Sequence, residues 1–272
     1  MTWPAPLELL LERMPMEYTS SEWRLRSVLA WSGHASVAVV LAFAATALVG
    51  WATGVDTLTR VLPGWPHMTP WSAGLLAALG VAVLVQSGSP SKARIWAGCG
   101  VAAVVGVLAV VFLTEYATGR SFGLDDVWFS DTVGRLQETW PGRPSPRTAS
   151  SLLALSIGVG LTRLNPRGAR VVWPLALGAA IVLPSVAVAA YLFDAVSLAA
   201  VTRSTGMGIS TALGLQLLAA ATVVTRPDRD PLAWLLARPD HTTLLRLGAV
   251  LAGLPLLLGL THRAFLTFGG GE

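Results

Sequence analysis

The sequence predicts an all-α integral membrane protein, and three observations lead there. Hydrophobic residues make up 53% of the chain and charged residues only 12%, more apolar surface than a soluble domain of this size would bury. The apolar runs approach the roughly 20 residues that a helix needs to cross hydrocarbon. They are apolar on all sides rather than alternating, so helices, which satisfy their own backbone groups in lipid, are expected over strands. Finally, a short pattern returns three times where an apolar run resumes. Met68–Ala73, Pro144–Ala149 and Met207–Ala212 each end in a hydroxyl residue followed by Ala. Recurrence at matching places points to one structural unit used three times.

The elements follow in order. Residues 1–27 hold Glu8, Glu12, Glu17 and Glu22 ahead of most of their cations, unlike a secretory leader, and read as a cytoplasmic segment with a short helix at Leu7–Met14. A polytopic membrane domain fills 28–263, and 264–272 form a tail. Seven spans are expected: Val28–Trp51, Trp71–Ser87, Ile95–Tyr116, Ala149–Leu161, Val171–Leu192, Met207–Val224 and Leu247–Leu260. The fourth and seventh are short and need flanking residues to cross. The pattern copies fall at the starts of the second, fourth and sixth spans, and the preceding spans end alike, in Trp51-Ala-Thr-Gly54, Tyr116-Ala-Thr-Gly119 and around Tyr191. The arrangement expected is therefore three repeated helical hairpins plus one further helix.

Ser72, Thr148 and Thr211 are the expected helix-start residues, with hydroxyls that accept from first-turn N–H groups; Pro70 and Pro146 suit a first turn. The long loop 117–147 is too apolar and aromatic for a disordered linker, and a short helix is expected at Asp125–Leu136.

Cations set the orientation. With the N-terminus inside, the short inner connections carry Lys92 and Arg94, then Arg163, Arg167 and Arg170, then Arg226 and Arg229, whereas most outer cations sit in the one long loop. The net charge of +4 is thereby explained by topology and anionic headgroups, and no dense basic stretch calls for nucleic acid. A bacterial cytoplasmic membrane with the N-terminus inside is the expected setting. The lipid bilayer is the expected partner, with a second copy or a signalling or membrane-complex subunit as the protein partner.

Cys99 is the single cysteine, and the four histidines are spread over different depths, so neither a metal centre nor another cofactor is expected. No nucleophile elbow, phosphate loop or zinc-protease motif is present, and no catalytic residue is assigned. The candidate ligand-contacting residues lie in the outer loops and at the outer helix ends: Trp65, His67, Glu115, Asp125, Trp128, Arg143 and Asp194. Carboxylates beside arginines at a membrane boundary either pair to fix loops or face a ligand. Gln86 and Gln216 are expected to bond across helices near their inner ends.

The segments Gly-Arg-Pro-Ser-Pro-Arg-Thr-Ala at Gly142–Ala149, Thr-Gly-Met-Gly-Ile-Ser-Thr-Ala at Thr205–Ala212 and Val-Thr-Arg-Pro-Asp-Arg at Val224–Arg229 resemble a known family. They look like the multi-span N-terminal sensor regions of bacterial histidine kinases and diguanylate cyclases, over about Gly50–Leu260. The resemblance implies a membrane sensory module that perceives an extracytoplasmic or membrane-dissolved cue without catalysis of its own. It also implies an eighth span and an output domain, which this sequence does not contain. The competing expectations are a structural or partner-binding subunit of a membrane complex, and a small transporter with Pro174 and Pro184 interrupting its fifth span.

Overall fold

The computed structural model describes residues 20–62, 64–125, 127–136, 141–164, 166, 168–192, 206–229 and 233. The proposed helix at Leu7–Met14, the seventh span at Leu247–Leu260 and the tail lie outside the described residues. Within them every regular element is a helix. The six main ones are α1 (Ser20–Thr53), α3 (Pro70–Gln86), α4 (Lys92–Thr118), α6 (Pro146–Leu161), α7 (Ala169–Leu192) and α8 (Ile209–Val224). Two short helices, α2 (Asp56–Thr59) and α5 (Ser130–Leu136), lie in the connections. Three helical stretches are long and apolar enough to cross a membrane: Ser27–Thr53, Lys92–Thr118 and Ala169–Ala189. The all-helical class read from the sequence is thus what the described residues display, with three helices that fit a membrane by length and apolarity.

The six helices close into a ring of neighbours: α1 against α3, α3 against α4, α4 against α6, α6 against α7, α7 against α8 and α8 back against α1. Inside that ring α3, α6 and α8 also touch one another. α3, α6 and α8, the shorter of the six main helices, therefore form an inner trio, and each of the longer α1, α4 and α7 lies in the groove between two of them. Register explains the core. Ala73, Leu76, Leu79 and Val83 of α3 are buried, as are Ala149, Leu152, Leu155 and Val159 of α6, and Ala212, Leu215, Leu218 and Thr222 of α8. Steps of three, three and four residues keep each set on one helix face.

The helix starts are capped, although by a different residue than expected. Thr69 Oγ1 accepts from Ser72 N–H and Ser145 Oγ from Thr148 N–H, so Ser72 and Thr148 are the residues capped rather than the caps. Their hydroxyls pair with the cap hydroxyls at 2.7 and 2.9 Å. Pro70 and Pro146 then occupy the first turn. At the third start the cap position is Gly208, with no side-chain cap; a Cβ there would lie 3.0 Å from Pro66 O. Thr211 is buried at the place matching Ser72 and Thr148.

Both glutamines bond across helices, Gln86 Nε2 to Val159 O and Gln216 Nε2 to Ser185 Oγ, though Gln216 sits mid-helix rather than near an end. α5 starts at Ser130, five residues later than expected. Asp125 is held in a turn by an ion pair, and Phe129 takes a left-handed φ of 56°, so neither joins a helix. α7 runs without a break through Pro174 and Pro184.

Candidate functional site

The ends of α1, α4 and α7 meet the starts of α3, α6 and α8 at one end of the bundle, here the loop end. Long-range bonds lock it together. Trp51 Nε1 donates to Met68 O and Tyr191 Oη to Met207 O, so the aromatic residue closing α1 or α7 holds the peptide just before the next inner helix. Trp71 Nε1 donates to Leu124 O, 2.7 Å away, and ties the long loop to the start of α3.

Three of the expected site residues converge here. Arg143, just before α6, clamps Asp125 of the loop with Nε at 2.9 Å from Oδ1 and Nη2 at 2.7 Å from Oδ2. The same Nε lies 3.2 Å from Glu115 Oε2 near the end of α4, and Glu115 Oε1 accepts from Phe122 N–H. The guanidinium also sits over the Tyr116 ring, 5.1 Å from its centroid. Glu115 is wholly buried, Arg143 is 2% exposed and Asp125 7%. Two carboxylates facing one guanidinium out of water form a high-stakes cluster, because removal of the cation leaves uncompensated negative charge. Gly142 makes the approach feasible: its φ is 72°, and a Cβ would lie 2.7 Å from Asp125 O.

Trp128 packs on the start of α3, against the Trp71 that holds the loop at Leu124 O. Its ring is 5.4 Å from that of Trp71, and its edge packs over Gly74, where a Cβ would come within 3.2 Å of the indole. His67 and Trp65 belong elsewhere. His67 Nδ1 is 2.7 Å from Thr59 Oγ1 and 3.5 Å from Asp56 Oδ1, and its ring meets Trp51. Burial lowers its pKa below the ordinary 6.5; Asp56 opposes the shift and Arg60, itself paired with Asp56, adds to it. Trp65 stacks on Tyr191 with centroids 4.4 Å apart. Asp194 lies outside the described residues. Among those residues no three His, Cys, Asp or Glu side chains gather as a metal would require.

The opposite end carries a second polar system that the sequence reading took only for topology. Arg163 donates from Nε to Gln86 O (3.0 Å) and from Nη2 to Gly88 O (2.8 Å). Arg226 Nη1 donates to Thr162 O at 2.7 Å while its other nitrogens hold Asp228, whose carboxyl pKa is lowered by that bond. Arg229 donates to Leu161 O and Leu164 O and lies over Trp173. These cations sit where helix C-termini leave carbonyls unpaired and partial negative charge accumulates. A sequence signal for them exists: Arg163 and Arg226 stand at the same distance after Ala149 and Ala212 of the recurrent pattern.

Comparison with protein-family models, curated proteins and solved structures finds no match for this chain. The functional reading therefore rests on the geometry above.

Proposed function

We propose that this chain is a multi-pass sensory input module of a bacterial cytoplasmic membrane, with no catalytic activity of its own. In this reading three copies of a helical hairpin, α1/α3, α4/α6 and α7/α8, form the body, and the seventh span at Leu247–Leu260 completes it. The N-terminus and the arginine-clamped end face the cytoplasm, and the loop end receives the cue. One observation carries it: Arg143 joins the long loop to both α4 and α6 through Asp125 and Glu115. Displacement of that loop would be felt directly at two helix ends, which is how small shifts become helix movements in packed bundles. The hairpin reading is supported by the matching hydroxyl caps of α3 and α6 and by the matched buried registers of α3, α6 and α8.

A fusion of residues 1–272 to a diguanylate cyclase catalytic domain tests it. Asp125→Asn and Trp128→Ala are expected to change cyclic dinucleotide output in cells while the fusion stays in the membrane. Output identical across wild type and both variants would sink the proposal.

A second reading, a partner-binding subunit of a membrane complex, is favoured by a groove of about 540 Å³ between α4 and α6. Gly100, Ala103, Gly106 and Gly160 line it, the small residues that let another helix approach closely. Disulfide capture of a stoichiometric partner through Cys99, which lines the same groove, would favour this reading over the first. For the transporter reading, α7 continues through both prolines rather than breaking at them.

A further inference from the structure

Each long helix lies in a groove of the inner trio, but the three grooves are filled differently near the arginine end. The residue eighteen positions before the aromatic at the loop end is Gly33 in α1, Gly98 in α4 and Trp173 in α7, counted back from Trp51, Tyr116 and Tyr191. Between α3 and α6 the space beside Gly98 is taken by Gln86; a Cβ on Gly98 would come within 2.6 Å of that side chain. Between α6 and α8 the space is taken by the Trp173 indole, which is 1% exposed and directs Nε1 toward Thr162 Oγ1 at 3.4 Å. Between α8 and α3 there is neither device. Gly33 brings no side chain, and Thr225 stands where α3 has Gln86. A cavity of about 360 Å³ remains, lined among others by Gly33, His34, Val83, Ser87, Arg163 and Thr225.

The same groove departs from the others in charge. Arg163 and Arg226 each stand fourteen residues after the Ala of the pattern, Ala149 and Ala212, and each donates to the end of the neighbouring inner helix, at Gln86 O and Thr162 O. Fourteen residues after Ala73 stands Ser87, so the third groove lacks its guanidinium. Among the described residues, Thr225 O accepts from Arg163 Nη2, at 3.4 Å.

We propose that this third groove is a binding site for a membrane-dissolved planar ring compound bearing a carbonyl or hydroxyl oxygen, of the phenol or quinone class. The ring takes the space that Trp173 fills in the matching groove, against the apolar walls of Val37, Val83 and Val224. Arg163 holds Gln86 O with Nε and Gly88 O with Nη2, which leaves Nη1 to donate to an oxygen acceptor. His34 Nδ1 lies 2.7 Å from Ala30 O, an acceptor, so Nδ1 carries the proton and Nε2 remains to accept from a hydroxyl. The volume falls within the roughly 300–1,000 Å³ of ligand pockets, and the cleft stays open where the two matching grooves are each closed by a side chain of this chain, which marks it as a site. The proposal goes beyond the loop-end reading and does not rest on it.

The experiment uses the full chain in lipid nanodiscs with 1-naphthol as the probe, measured by equilibrium dialysis. Wild type is expected to bind one probe per chain saturably, above partition into empty nanodiscs. Gly33→Trp and Thr225→Gln, which copy the two closures seen in the other grooves, are expected to weaken binding at least tenfold and to melt no lower than wild type. Should Gly33→Trp fail to fold, Thr225→Gln and Ser87→Arg carry the test. Gly100→Ala, in the separate α4/α6 groove, is expected to leave affinity unchanged. Probe uptake that never saturates, or that is equal in wild type and the filled variants, overturns the proposal. So does a phospholipid retained by wild type, shed by Thr225→Gln and not displaced by 1-naphthol in native mass spectrometry.

Discussion

At the scale of single residues, the chemistry concentrates in two buried or half-buried basic side chains with opposite demands. Arg143 has no water to fall back on, and its two carboxylate partners are equally withdrawn from solvent. Arg143→Ala is expected to cost about 3–5 kcal/mol, the usual consequence of leaving a buried charge unmatched. Arg143→Lys keeps the charge but loses the two-pronged grip on Asp125, so a smaller loss is expected. Thermal unfolding in detergent ranks the two, and equal melting of Arg143→Ala and wild type would refute the cluster's structural weight. His67 behaves in the reverse sense. Burial favours its neutral form, so its contribution to stability is complete above its ordinary pKa of 6.5 and is lost as pH falls toward its lower folded value. Wild type is expected to lose more melting temperature between pH 7.5 and 5 than His67→Gln, which cannot take up the proton. Parallel curves for the two proteins would contradict the assignment.

At the scale of elements, the helix starts show how one local solution is adjusted to its surroundings. Thr69→Ala and Ser145→Ala each remove a capping oxygen and are expected to cost about 1 kcal/mol. By the same logic Gly208→Ser would stabilise α8, since it supplies the missing hydroxyl. The opposite is expected, because the new Cβ would press on Pro66 O and on the His67 carbonyl group at 3.0–3.1 Å, backbone that cannot step aside. Melting curves of the three variants decide it, and a rise for Gly208→Ser would show that the loop yields. The elements themselves were largely legible in the sequence. α3 and α6 begin at Pro70 and Pro146 and α4 ends at Thr118, each within three residues of the span read from apolarity. The first span, read as Val28–Trp51, matches the apolar stretch Ser27–Thr53, and the backbone stays helical before it, back to Ser20. Of the expected site, Glu115, Asp125 and Arg143 were legible because charge at a membrane boundary needs a partner. The arginine clamp was not, because its acceptors are backbone carbonyls. Arg163 reaches Gln86 O across 77 residues of sequence, and a carbonyl has no residue type to betray it.

At the scale of the whole molecule, the inner helices are shorter than the bilayer they would sit in. With 17, 16 and 16 residues they extend about 24–26 Å, against about 30 Å of hydrocarbon. Such helices tolerate membrane depth because their ends are satisfied by protein: hydroxyl caps and aromatic N–H or O–H donors at one end, guanidinium groups at the other, with the longer α1, α4 and α7 outside them. That division also bears on orientation, since Lys92, Arg94, Arg163, Arg170, Arg226 and Arg229 all belong to the clamped end and its short connections. The clamped end is therefore expected on the cytoplasmic side. Single reporters in a Cys99→Ala background make this measurable: Leu62→Cys at the loop end and Ser89→Cys at the clamped end are both exposed positions. A membrane-impermeant maleimide applied to intact spheroplasts is expected to label Leu62→Cys at once, and Ser89→Cys only after permeabilisation. The reverse pattern would place the arginines outside, and the loop end would then face the cytoplasm, where it could not receive an extracytoplasmic cue.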